Sequence, residues 1–172
     1  YRKMALKYHP DKNGNTEKLS GEGGIGPVMS NITIETPIVK GKSSLLAGGR
    51  ASYSNWILKS LDEESLKNSQ ASFYDGIIKY NHKFNKNNAI ESSVYYSHDD
   101  FSITSDSLYS YSNRLASLKW DHTFNEKNKG AFIFTNSKYK FNIDYQTEGL
   151  NSFDFGYEIN ETQFMMKFNY LF

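Results

Sequence analysis

From residue 73 to 84 the chain reads FYDGIIKYNHKF, in which Tyr74, Gly76, Ile78, Tyr80, His82 and Phe84 alternate with Asp75, Lys79, Asn81 and Lys83. Side chains of an extended strand point to opposite faces in turn, so this period of two predicts a strand with one apolar and one charged face. An Asn-rich turn at 85–88 and a second extended run at 89–98 complete a hairpin. The pattern then returns. KYNHKFNKNN at 79–88 is echoed by KWDHTFNEKN at 119–128, each copy closing a strand on aromatic, polar, His, polar, Phe before an Asn-rich turn.

The same alternation predicts strands at 28–37, where Ile32 and Ile34 oppose Asn31, Thr33 and Glu35, and at 43–54, where Leu45, Ala47, Gly49, Ala51 and Tyr53 oppose Arg50. At 111–124, Ala116, Leu118, Trp120 and Phe124 oppose Lys119 and Asp121, and at 130–145, Ile133, Tyr139, Phe141, Ile143 and Tyr145 oppose Lys138, Lys140, Asn142 and Asp144. Two further strands, at 152–159 and from 164 onward, are expected either side of a tight turn at Asn160 and Glu161. A weak first strand at 16–22 leads into a Gly-rich connection at 23–27. Residues 55–71 read as a loop with a helical turn over LDEESLKN, and the Ser- and Asp-rich stretch 99–110 as a second exposed loop.

The expected fold is therefore all-β: an open antiparallel up-and-down meander of about nine strands, preceded by a short helical or disordered tail. Short connections at 40–42, 85–88, 125–129 and 160–161 fall at one end of the meander, and mostly longer ones at 55–71, 99–110 and 147–151 at the other. Strands that reach the roughly 9–11 residues needed to cross a bilayer at a tilt, joined in this way, suit an outer-membrane barrel. Tyr80, Phe84, Trp120 and Phe124, next to the short turns, are then expected to form one interfacial girdle, with Tyr96, Tyr111 and Tyr145 nearer the other.

Composition supports the same class. Aromatics make up 16% of the chain although hydrophobic residues total only 38%; a soluble core draws more on Leu, Ile and Val, whereas aromatic alternation suits strands between lipid and water. The net charge of +1 gives no field for nucleic acid, and the absence of Cys excludes disulfides and thiolate metal sites. His82 and His122 occupy equivalent places in the repeat, but two His without a third ligand make no metal site, so no metal and no cofactor are expected. Nothing resembles an activated serine or a working carboxylate pair, since Asp62, Glu63 and Glu64 form a loop charge run, and the glycines at 21–26 precede no helix that could hold a phosphate. No enzyme is expected.

Two resemblances sharpen this reading. YRKMALKYHPDKN at 1–13 resembles the end of helix II and the HPD loop of a DnaJ-type J domain, with His9, Pro10 and Asp11 as the matching residues and Arg2, Lys3 and Lys7 as the basic face. In that family the loop engages a heat-shock ATPase, which makes a co-chaperone one alternative function; a soluble β-sandwich binding domain is another. From about residue 16 to 172 the chain resembles the barrel of a TonB-dependent outer-membrane receptor of the Bacteroidetes type. The matching features are the Gly-rich step at 23–26, Pro37 with Ile38, the Lys-containing turn 40–42, and Gly49 and Arg50 before Tyr53, with the runs 66–88 and 115–126 also alike. The division expected is a J-like tail at 1–15 and a partial barrel at 16–172.

The resemblance implies a piece of a receptor, with a plug domain before it and more strands after Phe172. It implies import of an unidentified solute across the outer membrane of a Gram-negative bacterium. The partners implied are outer-membrane lipid, the receptor's own plug and TonB. By the same implication Arg50, Asp75, Lys79, Lys83, Glu91, Lys119, Asp121, Lys138, Lys140 and Asp144 are the residues facing the lumen.

Overall fold

The structure is a computed structural model that describes residues 18–102, 107–145 and 153–170. They form one antiparallel sheet of eight strands in chain order. These are β1 (Ser20–Ile25), β2 (Met29–Val39), β3 (Ser43–Ser52), β4 (Gln70–Lys83), β5 (Asn88–Ser102), β6 (Ser107–Thr123), β7 (Asn128–Tyr145) and β8 (Phe153–Tyr170). Two short helices, α1 (Asn55–Ser60) and α2 (Glu64–Lys67), lie between β3 and β4. The sheet is open, with β1 and β8 at its edges. This is the all-β meander expected from the alternation, and it has no second sheet layer, so the soluble sandwich alternative does not hold for the described residues.

Nothing like a globular core is present. Leu46 and Ala131 are the only hydrophobic residues buried among those described. Cohesion instead comes from the backbone ladders and from side-chain pairs across neighbouring strands. Residues directly opposite one another share a face, so the register assigns every strand residue to a side. Leu45, Tyr80, Ser92, Leu118, Phe134 and Phe164 form one such row. On their side, Ile78, Val94 and Phe164 remain 56%, 58% and 81% exposed; this is the open face. The opposite face is crowded: the side chains of Asp75 and Lys79 are only 13% exposed, and Ser97 and Ala131 are buried there.

The sequence repeat corresponds to a repeated hairpin end. Phe84 N–H donates to the Asn88 carbonyl at 3.0 Å, and Phe124 N–H to the Asn128 carbonyl at 3.0 Å. In each turn the first Asn folds its side chain over the loop. Asn85 Oδ1 accepts from Asn87 N–H at 2.9 Å and Asn88 Nδ2 at 3.0 Å, while Asn125 Oδ1 accepts from Lys127 N–H at 3.0 Å and Asn128 N–H at 2.9 Å. Such Asx turns mimic a backbone turn. Replacing Asn85 or Asn125 by Ala is expected to cost about 1 kcal/mol each and Asp in either place less, read from urea unfolding in detergent micelles. The first short turn uses a different device, a left-handed Gly41 at φ 70°, where a side chain would be strained.

Three expectations about elements are overturned, each for a physical reason. Residues 23–25 belong to β1 rather than to a connection: Gly23 and Gly24 pair with Ile32 and Asn31, and the turn proper is 26–28, tied by Gly26 N–H to the Met29 carbonyl at 2.9 Å. Much of the supposed loop 99–110 is strand, because β5 and β6 each have partners on both sides. Its polar residues satisfy one another across the ladder, as where Ser110 Oγ donates to Asp100 Oδ1 at 2.6 Å. Asn160 and Glu161 make no turn, since β8 runs through them opposite Lys138 and Ser137. Asn136 Nδ2 donates there to Asn160 Oδ1 at 3.0 Å and Thr162 Oγ1 at 2.9 Å. Among the described residues the meander has eight strands, in keeping with the expected count of about nine. The loop 53–69 is tied down at its base, with Ser54 Oγ donating to the Ala71 carbonyl at 2.6 Å and Trp56 Nε1 to the Pro27 carbonyl at 3.0 Å. The expected connection at 147–151 lies outside the described residues.

Candidate functional site

The open face is not uniform along the strands. Near the short turns it carries Ile78, Ile90, Val94, Leu118, Trp120, Phe132, Phe134, Phe164, Met166 and Phe168, placed side by side by the register of β4 to β8. Their rings touch, with centroids 5.3 Å apart for Trp120 and Phe132 and 5.1 Å for Phe134 and Phe164. On β4 the apolar side runs from Gly76 to His82, with Phe84 just past the end of the strand. That length is roughly 26 Å along the chain and roughly 18–21 Å in height at a tilt of about 35–45°, approaching the apolar band of an outer-membrane barrel.

The band has two borders. At the short turns Tyr80 and Trp120 lie on this face, Phe84 and Phe124 pack beside them, and His82 and His122 sit among them. His82 is edge-on to Phe84 at 4.6 Å and His122 to Phe124 at 4.5 Å. The polar ends of the ring are satisfied locally: Tyr80 Oη and His82 Nδ1 are 3.2 Å apart, His122 Nδ1 is 2.8 Å from Asn88 Oδ1, and Trp120 Nε1 donates to the same oxygen at 3.2 Å. The other border is one register row, Gly76, Tyr96, Arg114, Lys138 and Asn160. There the Arg114 guanidinium lies over the Tyr96 ring at 5.6 Å and Tyr74 packs on Tyr96 at 5.9 Å. Tyr96 thus stands in the second bordering row, whereas Tyr111 and Tyr145 lie on the crowded face.

Beyond that row the two faces exchange character. The open face becomes charged and polar, with Lys138 paired to Glu158 at 2.7 Å and His98 to Asp100 at 3.1 Å. On the crowded face Tyr111, Tyr139, Phe141 and Tyr157 form a ladder, with centroids 4.9 Å apart for Tyr111 and Phe141, and 5.3 Å for Phe141 and Tyr157. The exchange occurs in β6, β7 and β8 at the same level, between Tyr111 and Ala116, Phe134 and Tyr139, and Ile159 and Phe164.

This exchange divides the expected lumen residues. Arg50, Asp75, Lys79, Lys83, Glu91, Lys119 and Asp121 stand on the crowded face, Arg50 and Asp75 just past the Gly76 row and the others between it and the short turns. Lys138, Lys140 and Asp144 stand on the open face beyond the apolar band. The slip of phase at 134–139 sets them on the opposite face of the sheet from Lys119 and Asp121. The crowded wall is held by ion pairs, Arg50 to Asp75 at 2.5 Å, Lys79 to Glu91 at 3.1 Å and Lys119 to Asp121 at 2.9 Å.

Arg50 and Asp75 face each other across β3 and β4 beside Gly48, Gly49 and Gly76, and the guanidinium also lies 5.5 Å over the Phe73 ring. The pair is half-sheltered, between the weak exposed and the strong buried limits. Asp75→Asn is expected to cost about 1–2 kcal/mol, and a double-mutant cycle with Arg50→Gln should return most of it as coupling.

His9, Pro10 and Asp11 lie outside the described residues. Among the described residues no three His, Asp or Glu side chains gather where a metal ion could sit. No protein-family model matches the chain and no curated protein matches it in sequence. Among solved structures, a KdgM porin is similar over 88% of this chain and 95% of its own, at 10% identity and a TM-score of 0.21. A KdgM porin in complex with disordered oligogalacturonate is similar over 90% and 95%, at 11% identity and the same TM-score of 0.21. At that score the backbones do not superpose as one fold, and nothing is carried over from them.

Proposed function

We propose that this chain is part of the wall of an outer-membrane β-barrel, and specifically of a TonB-dependent receptor that imports a solute. The observation that carries the membrane reading is the apolar band of the open face, approaching bilayer height and bordered by aromatic and polar rows, backed by a charged opposite wall. The short turns at one end and longer connections at the other fit an outer-membrane barrel. The receptor reading rests on the sequence features at 23–26, 37–42 and 49–53. In it, the crowded wall faces the plug and the passing solute, and the protein transports without catalysing a reaction.

Because the sequence has no Cys, single Cys variants carrying a spin label test the band directly. In lipid vesicles, labels at Leu118 and Phe134 are expected to collide with dissolved oxygen, and labels at Ser117 and Thr135 with a water-soluble nickel chelate. Equal exposure to the chelate at all four positions would remove the membrane reading. The receptor reading is tested separately, by solute uptake in cells carrying the gene, which should stop when TonB is lost.

A further inference from the structure

The short-turn end carries a collar of lysines that the transport reading leaves without a role. Lys40 and Lys42 flank Gly41 in the first turn, Lys86 lies in the second, and Lys127 and Lys129 border the third, with Glu126 the one acidic residue in those turns. All five are exposed, and none makes an ion pair among the described residues. The opposite end has the opposite sign, with Asp62, Glu63, Asp99, Asp100, Asp144 and Asp154 at or beyond the upper border.

A second feature fixes where the lysines stand. The aromatic row of Tyr80, Phe84, Trp120 and Phe124 lies at the same level, its hydroxyl and indole N–H turned to polar partners within the row. Tyr and Trp with an apolar body and a satisfied polar tip settle where acyl chains meet headgroups. Ammonium groups on the turns just past that row therefore stand among the headgroups, well within a Debye length of roughly 8–10 Å.

We infer that the short-turn end is a docking surface for anionic phospholipid headgroups, with the lysines of the three turns neutralising phosphates of one leaflet and thereby fixing which leaflet the turns face. This rests on the membrane-wall reading. Each lysine near an anionic surface strengthens binding by about fivefold at low salt. The aspartates of the other end are repelled by the same leaflet, so both ends favour one orientation.

The test is vesicle flotation of the full chain with phosphatidylcholine alone and with phosphatidylcholine containing phosphatidylglycerol, at low and high salt. The expected result is insertion into both, with about tenfold or greater preference for the anionic vesicles at low salt, lost at high salt. The variant Lys40→Gln, Lys42→Gln, Lys86→Gln, Lys127→Gln should lose that preference and still insert into phosphatidylcholine. Lys59→Gln with Lys67→Gln, at the loop end, should keep it. Equal insertion of the wild type into both vesicles, or a preference that survives the fourfold variant, would overturn the lysine inference and leave the wall reading standing. Loss of preference in the Lys59 and Lys67 variant would overturn its placement at the short turns. Failure to insert into either vesicle would overturn the wall reading and the inference with it.

Discussion

Leu118→Arg is expected to destabilise the chain folded into phosphatidylcholine vesicles by about 2–4 kcal/mol, while Ser117→Arg costs less than about 1 kcal/mol. The two positions are adjacent, so strand propensity and distance from the turns are nearly the same. What differs is the face. Leu118 lies between Ser92 and Phe134 near the middle of the apolar band and is 47% exposed, so an arginine there meets hydrocarbon. Ser117 lies between Ser93 and Thr135 on the crowded face, two positions from Lys119, where an arginine meets polar groups. Urea titration followed by Trp120 fluorescence would give both values, and equal costs at the two positions would sink the assignment of faces.

The second large effect concerns the edges. In buffer without lipid or detergent the purified chain is expected to sediment as polydisperse aggregates rather than as a monomer. Ile78, Val94, Phe164 and Met166 are more than half exposed, and among the described residues β8 has a partner strand, β7, on one side only, over a length from Phe153 to Tyr170. An edge that long and flat, with an apolar face beside it, recruits further strands. Inside a bilayer the backbone groups of such an edge would each cost several kcal/mol if left unpaired, so a wall of this kind needs more strands at β1 and β8, from its own protein or from another copy. Analytical ultracentrifugation decides the matter; a stable monomer at high concentration without detergent would argue strongly against a membrane wall.

The strands that were legible in the sequence are those whose alternation never changes phase. In β4, Tyr74 to Phe84 reads as one face throughout, and the structure keeps it so. The repeated Asn turn was legible for a similar reason, since its chemistry is local and both copies hold the same side-chain bonds. The misread elements are those in which something outside the segment decides. The glycines of β1 have no turn-forming geometry of their own and extend because β2 lies beside them. Ser110 near the start of β6 looks like loop until β5 lies beside it and the Asp100 carboxylate accepts its hydroxyl.

β8 was the most instructive failure. Its apolar residues move from odd positions, Phe155 to Ile159, to even ones, Phe164 to Tyr170, and a break in phase reads locally as a chain reversal. Only the register with β7, which makes the same move at the same level, identifies it as one strand passing from one surrounding to another. The same break sets Lys138, Lys140 and Asp144 on the open face rather than on that of Lys119 and Asp121.

The change of face at Arg114 in β6, Lys138 in β7 and Asn160 in β8 also acts as a depth mark on each strand. A sheet whose strands were greasy on one side from end to end could ride higher or lower in its membrane at little cost. Here a shift of one pleat repeat, about 7 Å along the strand, would either sink Lys138 and Arg114 into hydrocarbon or lift Phe134 and Phe164 into water. The depth at which this wall floats is therefore written into its strands, without help from any loop.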